Sequence, residues 1–288
     1  MSSKKNIEIN NILVIGLGLI GASLCRSLKS TSLYKKIYGH DTSKEVMQYA
    51  LKNNYVDDIK IGLKEGISES DLIVICVPVH KINDILEVIK NYFNSEKVFT
   101  DTLSSKKSLL NFIDQKKFNN INNFISSHPM AGTENFGIEN SKSDLYDNST
   151  TFICPLDFSD PYKIEKVNEM WEAINSTTTN LDIRNHDKYL TILSHAPHAI
   201  SFALSKKTNE KELLKKLPWM YSKGSLSEIL RVANSDSNAW ASIFKDNQDN
   251  LAEYLEEYIK ELKELKFSIM NDSVEELASY LKKSKPTK

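Results

Sequence analysis

A run of apolar and β-branched residues, Ile12 to Ile15, passes directly into Gly16-Leu17-Gly18-Leu19-Ile20-Gly21, after which Ile20, Leu24 and Leu28 recur at helical spacing. A bare G-x-G-x-x-G is common, but one that ends a strand and opens a helix commits the chain to a βαβ unit. The first glycine makes the tight turn, the second lets the backbone approach a pyrophosphate, and the third lets helix and strand pack closely. The helix N-terminus then faces the anion. A second strand-like run, Lys36 to Gly39, leads into His40-Asp41, twenty residues beyond Gly21. A carboxylate there accepts hydrogen bonds from ribose hydroxyls and repels a 2′-phosphate, so Gly16, Gly18, Leu19, Ile20, Gly21 and Asp41 together predict NAD rather than NADP as cofactor.

The pattern continues with short apolar runs at Leu72 to Val77, Val98 to Thr100, Phe124 to Ser126 and Thr150 to Cys154, separated by amphipathic stretches such as Ile82, Ile85, Leu86 and Ile89. Alternation of this kind predicts a parallel sheet with crossover helices, a doubly wound α/β domain of the Rossmann type. Val77 and Pro78 would border the nicotinamide side, although Pro78 could equally serve only to end the strand. From about His186 the strand-like runs vanish and helical periodicity takes over. The expected division is a dinucleotide-binding domain over residues 1–181 and an all-helical domain over residues 182–288, with a cleft between them. Within the helical half, Leu251, Leu255, Tyr258, Leu262, Leu265 and Ile269 recur at alternating spacings of four and three. Such a heptad seam needs a partner helix, supplied either by the same subunit or by a second one.

With 37 basic and 38 acidic residues in 288, the chain has a formal charge of -1, and no basic excess draws it to nucleic acid or an anionic membrane. The amino-terminal residues carry no apolar core and no later run approaches membrane-spanning length, so a cytoplasmic protein is expected. Cys25, Cys76 and Cys154 are odd in number, far apart and set in apolar stretches, which fits packed thiols better than disulfides or a metal site.

Two further segments lie where ligands bind in such sheets, beyond strand carboxyl ends: Asp101-Thr102-Leu103-Ser104-Ser105-Lys106 and Ser127-His128-Pro129-Met130-Ala131-Gly132-Thr133-Glu134. The helical half adds His186-Asp187, Ser194-His195-Ala196-Pro197-His198, Arg231-Val232-Ala233 and Trp240. Each piece is common alone, but in this order, over nearly the full chain, they resemble the prephenate dehydrogenase family. The resemblance implies a homodimer that converts prephenate and NAD to 4-hydroxyphenylpyruvate, carbon dioxide and NADH in tyrosine biosynthesis. Some members use arogenate instead or accept both compounds.

Carried over motif by motif, the resemblance makes His128 the catalytic histidine, because a neutral imidazole must draw the proton from the ring hydroxyl as hydride leaves. Ser104 would share that hydroxyl, with Lys106 lining the same turn. The family usually has Gly where Leu103 stands, and Ser105 follows at once, so either serine could face the substrate. Arg231 would grip a carboxylate with two parallel bonds, or else form an interdomain salt bridge. His198 and Trp240 would complete the pocket, and Thr133 and Glu134 would border its entrance. His195 reads as a buried, satisfied imidazole, and no Cys or His cluster completes a metal site. Two other functions stay open on the sequence: a related oxidoreductase acting on β-hydroxy acids or imines, and a non-catalytic dimer that senses NAD or a metabolite.

Overall fold

The computed structural model describes residues 8–31, 33–118, 120–133, 135–209 and 224–285. Strands β1 (Asn11–Ile15), β2 (Lys36–His40), β3 (Asp58–Ile59), β4 (Leu72–Ile75), β5 (Val98–Asp101), β6 (Phe124–Pro129), β7 (Thr150–Pro155) and β8 (Thr177–Asn180) form one sheet in the order β3-β2-β1-β4-β5-β6-β7-β8. The order turns back between β1 and β4, and that reversal opens the crevice in which doubly wound sheets hold ligands. All pairings are parallel except β6 with β7.

The doubly wound sheet is as expected, and this one antiparallel pairing is a detail the apolar runs do not reveal. Among the described residues, the connection from β6 to β7 contains a 3-10 turn at Ile138–Asn140 and no crossover helix, so the chain returns antiparallel. Two strands escaped the sequence reading as well. β3 has two residues, and β8 reads Thr-Thr-Thr-Asn with mostly exposed side chains, so neither shows an apolar run.

The central strands are buried on both faces, which is why they read as unbroken apolar runs. Alternate residues serve two cores: Ile12, Val14, Leu72 and Val74 face one, while Leu13, Ile15, Ile73 and Ile75 face the other. Helices α1 (Leu19–Lys29), α2 (Lys44–Lys52) and α6 (Pro161–Glu172) cover the first core through Leu24, Leu28, Met47, Met170 and Trp171. Helices α3 (Leu63–Ser68), α4 (Ile82–Ile89) and α5 (Lys107–Gln115) cover the second through Ile67, Leu86, Leu109 and Phe112.

After β8 the chain is helical: α7 (Ile183–Leu190), a π-helical turn (Thr191–His195), α8 (Ala196–Asn209), α9 (Ser225–Arg231), α10 (Ser237–Asp246), α11 (Gln248–Asn271) and α12 (Val274–Lys283). Side chains fix several of the starts, because Asp182 accepts from Arg184 N, Asp236 from Asn238 N, and Ser273 with Glu276 forms a capping box. Ile183 and Ile243 join the second core, so the helical half is seated on the sheet face that carries α4 and α5. The wide π turn precedes Pro197, which has no N–H to return to the Leu193 carbonyl.

The seam on α11 is unevenly covered, with Leu255, Tyr258 and Leu265 half-buried. Leu251 is 5% exposed, whereas Leu262 and Ile269 are 46% and 58% exposed. Among the described residues, no helix is long and apolar enough to cross a membrane.

Candidate active site

The glycine turn follows β1 at the crevice. Gly16 has φ +92°, and a Cβ there would lie 2.5 Å from the Cys76 carbonyl oxygen, so only glycine fits between β1 and β4. Gly21 is excluded from substitution by packing alone, since its Cβ would stand 1.9 Å from the Gly16 carbonyl oxygen. Gly18 differs from both. A Cβ there would meet nothing within 4 Å, so the α1 N-terminus opens onto free space where a pyrophosphate could approach. Asp41 sits beside it: one carboxylate oxygen accepts from Leu17 N at 2.8 Å and the other from Ser43 N at 2.9 Å. The acid therefore fastens the glycine loop to the end of β2 and still has lone pairs for ribose hydroxyls.

These observations fit NAD, whose adenosine and pyrophosphate portions would be held by Gly16, Gly18, Leu19, Ile20, Gly21 and Asp41. Asp41→Asn keeps one of the two loop bonds and removes the charge. It is expected to narrow the preference for NAD over NADP by about tenfold or more, a change of ~1.4 kcal/mol in relative affinity. Equal Michaelis constants for the two cofactors in the unaltered protein would contradict the assignment.

β4 ends at Ile75, two residues before the predicted limit, and Val77 and exposed Pro78 follow as a bend into the 3-10 turn Val79–Lys81. Helix α10, which carries Trp240, packs against that turn. The cofactor crevice and the helical half therefore share a wall.

His128 lies inside β6, paired with Phe152 of β7, rather than in the loop beyond the strand. Its Nδ1 is 2.9 Å from Nε2 of His186, and Nδ1 of His186 is 2.7 Å from Oδ1 of Asp187. Asp187 also accepts from the Lys106 and Lys107 backbone N–H groups, so its carboxylate is held on the protein side of this chain. A carboxylate only accepts. His186 must then carry hydrogen on Nδ1 and accept on Nε2, which makes His128 donate from Nδ1 and leaves the lone pair on its Nε2. The chain Asp187, His186, His128 thus presents one basic nitrogen of defined tautomer. Burial holds the His128 pKa well below the ordinary histidine range, with the neighbouring His186 and the Lys106 ammonium adding to the effect. His186 is depressed too, first by burial and then by Lys106 and His195.

Lys106 does not line the pocket as expected from the sequence. Its side chain is fully buried, and Nζ donates to Asp101 Oδ1 at 2.6 Å, to the Leu103 carbonyl at 2.9 Å and to the Ser127 carbonyl at 2.8 Å. All three ammonium hydrogens are used, so none remains for a substrate. Instead the lysine ties the end of β5 to β6 beside His128. Lys106→Met would leave Asp101 as an uncompensated buried charge and is expected to destabilise the fold by roughly 3–5 kcal/mol in urea denaturation. A raised Michaelis constant at unchanged stability would restore the substrate-binding assignment.

Of the two serines in the turn, buried Ser105 spends its hydroxyl on Asp246 Oδ2 at 2.6 Å, while Ser108 bonds the other Asp246 oxygen. Ser104 is half-buried. Asp246 therefore anchors the turn to the end of α10 and leaves Ser104 as the residue of the pair available to the cleft.

His195 and His198 both meet Trp240. The His198 ring stacks on the indole at 3.6 Å and 18°, and His195 meets it edge-on at 6.1 Å. Burial lowers the His198 pKa, and the Arg231 guanidinium is close enough to lower it further. His195 and His198 thus share the Trp240 ring, while His128 with His195, and His198 with Arg231, lie within electrostatic range of each other. Thr133 is half-buried in the loop after β6, its hydroxyl accepting from Asn135 N. Glu134 lies outside the described residues.

The sequence shows His186-Asp187 as a dipeptide with no evident role, and it gives no sign of Asp246 and Asn247. Adjacent His and Asp residues were the available signal, but their partner His128 is 58 positions away from His186. Nothing local distinguishes Asp246 or Asn247 from ordinary residues at a helix junction.

A doubly wound sheet with a glycine turn at its switch point, a buried histidine pair tied to an aspartate, and a helical domain seated on the sheet together fit an NAD-dependent dehydrogenase. Residues 24–179 match the prephenate dehydrogenase nucleotide-binding domain, and residues 182–283 match the prephenate dehydrogenase dimerization domain. The chain belongs to the prephenate dehydrogenase family. It is 28% identical to a prephenate dehydrogenase of Bacillus subtilis over 96% of this chain and 74% of that protein. It is 29% identical to a cyclohexadienyl dehydrogenase of Zymomonas mobilis over 95% of this chain and 93% of that protein. Among solved structures, prephenate dehydrogenase from Aquifex aeolicus in complex with hydroxyphenyl propionate and NAD+ superposes with a TM-score of 0.84 at 27% identity, covering 95% of both chains.

Proposed function

We propose that this protein oxidises prephenate with NAD to 4-hydroxyphenylpyruvate and carbon dioxide, the step that creates the aromatic ring of a tyrosine precursor. The observation that carries this reading is the hydrogen-bond chain from Asp187 through His186 to His128, which leaves the lone pair on His128 Nε2 to act as a base. NAD supplies the hydride acceptor. Hydride can leave the ring carbon only as the hydroxyl on it becomes a carbonyl, and His128 Nε2 takes the proton that is released. Charge arriving on His128 is met through Nδ1 by His186 and, beyond it, by the Asp187 carboxylate. Ser104 helps to hold the substrate hydroxyl. Carbon dioxide then needs no acid from the protein, because the carbon-carbon bond breaks as the ring becomes aromatic.

Arg231, His198 and Trp240 bind the rest of the substrate from the helical side, with Thr133 at the entrance. The guanidinium suits a carboxylate, and the stacked His198 and Trp240 rings offer a flat apolar wall to a cyclohexadiene. The working division is a cofactor unit over residues 1–181 and a substrate and dimerisation unit over residues 182–288. Exposed Ile192, Leu193, Leu262, Ile269 and Met270 in the helical half support a homodimer built through those helices.

The test is the appearance of NADH, read by near-ultraviolet absorbance, when the protein is mixed with NAD and prephenate or, separately, arogenate. Turnover is expected with prephenate. Arogenate turnover alone would move the substrate assignment to that compound, and NAD binding without turnover of either would favour a sensor. The pH profile adds a second requirement. Because the free His128 is depressed below the usual ~6.5, its neutral form persists as pH falls, so kcat/KM should hold steady through that value and drop only at lower pH. An acid limb at or above ~6.5 would remove His128 as the base.

A further inference from the structure

The turn after β5 carries Ser104, and the helical half holds that turn with two carboxylates. Helix α5, which follows it, begins without a side-chain cap of its own. The N–H groups at its start are met instead from α7 and α10. Asp187 accepts from Lys106 N and Lys107 N, and Asp246, the last residue of α10, accepts from Ser108 N at 3.3 Å. Asp246 also takes two hydroxyls, Ser105 Oγ at 2.6 Å on one oxygen and Ser108 Oγ on the other. Hydrogen bonds to an ionised acceptor are roughly twice as strong as neutral ones, and this carboxylate faces the positive end of α5 as well.

Of the serines at 104, 105 and 108, two therefore give their hydroxyls to Asp246, and half-buried Ser104 does not. The residues on either side of Ser104 are pinned. Leu103 donates its N–H to Asp101 Oδ1 at 2.9 Å and receives the Lys106 ammonium on its carbonyl. Ser105 is held by Asp246, and the Lys106 N–H by Asp187. An arc fixed at both ends leaves Ser104 little freedom in where its hydroxyl stands. The next residue after Asp246 extends the frame: the Asn247 NH2 group donates to the Asp187 carbonyl and to Thr191 Oγ1, both at 2.8 Å, and lies 2.9 Å from Nδ1 of buried His195. One junction, between α10 and α11, thus ties the Ser104 turn to the helix that supplies Trp240 and to the π-helical turn.

We propose that Asp246 is a positioning residue for the oxidation, one that fixes, through Ser105 and Ser108, where Ser104 presents its hydroxyl to the substrate beside His128. The inference rests on the functional reading above, in which Ser104 helps to hold the substrate hydroxyl. Asp246 itself spends its oxygens on the turn and acts only through it. Because Asp246 is half-buried, water can satisfy the serines when the carboxylate is gone, but water does not hold the turn in one place. A misplacement of about 1 Å in such a group can cost as much as 10²-fold in rate.

A double-mutant cycle separates positioning from support of the fold. Wild type, Asp246→Ala, Ser104→Ala and the double variant are compared by kcat and KM for prephenate at saturating NAD, with NAD affinity and melting temperature measured beside them. Asp246→Ala should lower kcat/KM about 10- to 100-fold and leave NAD affinity unchanged. In the Ser104→Ala background the same substitution should cost less than about threefold, because no hydroxyl remains to be misplaced. Asp246→Asn, which keeps one oxygen for a serine, should recover part of the loss. Ser105→Ala removes one of the bonds at nearly constant volume, so it serves the same cycle if Asp246→Ala does not fold, with a smaller loss that again vanishes without Ser104. An equal fold-loss in both backgrounds would overturn the inference, as would a lowered melting temperature with kcat/KM intact or a loss confined to NAD. Wild-type protein that oxidises neither prephenate nor arogenate would overturn the functional reading and this inference together. Wild-type turnover that survives Ser104→Ala unchanged would remove Ser104 from the site and the inference with it, while leaving His128 as the base.

Discussion

His128→Asn is expected to lower turnover by roughly 10²- to 10⁴-fold while NAD affinity stays near that of the wild type. The size of the effect follows from the absence of a substitute in the described structure. Its neighbour His186 already spends both ring nitrogens, on His128 and Asp187. Lys106 has no free hydrogen, and Ser104 has no base of its own to activate it. NAD affinity should be spared because the glycine turn and Asp41 lie at β1 and β2, several strands from β6 in the sheet. Stopped-flow turnover beside a fluorescence titration of NAD would separate the two quantities. Near-normal turnover would take His128 out of the chemistry.

Asp187→Asn should cost a similar factor, roughly 10²- to 10⁴-fold in kcat, although its side chain sits beyond two imidazoles from the cleft. The carboxylate sets every hydrogen position in the chain. A carboxamide that turns its NH2 toward His186 Nδ1 inverts both tautomers, so that His128 carries hydrogen on Nε2 and becomes a donor where a base is needed. Turned the other way, the NH2 faces the backbone N–H groups of Lys106 and Lys107, donors that lose that acceptor and repel it. The loss should fall on kcat with little change in KM, since the residue is placed to position a base and not to hold the substrate. A loss shared equally between KM and thermal stability would mark Asp187 as a structural anchor for the turn after β5.

The parts of this site that could be read from sequence are those made by neighbours along the chain. Gly16, Gly18, Gly21 and Asp41 were legible because a strand, a tight turn and a helix start occur in order, and each glycine has a local steric reason. The buried strands were legible as apolar runs for the same kind of reason. β8, with its threonines mostly exposed, was not, and the reversal at β7 depends on a loop that carries no apolar signal. What stayed hidden in the site depends on long-range partners. Lysine is rarely buried, so the sequence alone suggests a pocket position for Lys106. Its burial is dictated by Asp101 and by the carbonyl of Ser127, 21 residues away. The choice between Ser104 and Ser105 was likewise set by Asp246, 141 positions from Ser105. His186-Asp187 was visible as a dipeptide, but its meaning required β6 and α7 to face each other.

A crystal structure of the complex with NAD and 4-hydroxyphenylpyruvate bears most directly on the claim that a base from the sheet and a cation from the helices act on one molecule. The phenolic oxygen should lie within about 2.6–3.2 Å of His128 Nε2, with the product carboxylate against the Arg231 guanidinium. A phenolic oxygen bound away from His128, or a carboxylate held in a cavity that Arg231 does not reach, would contradict it.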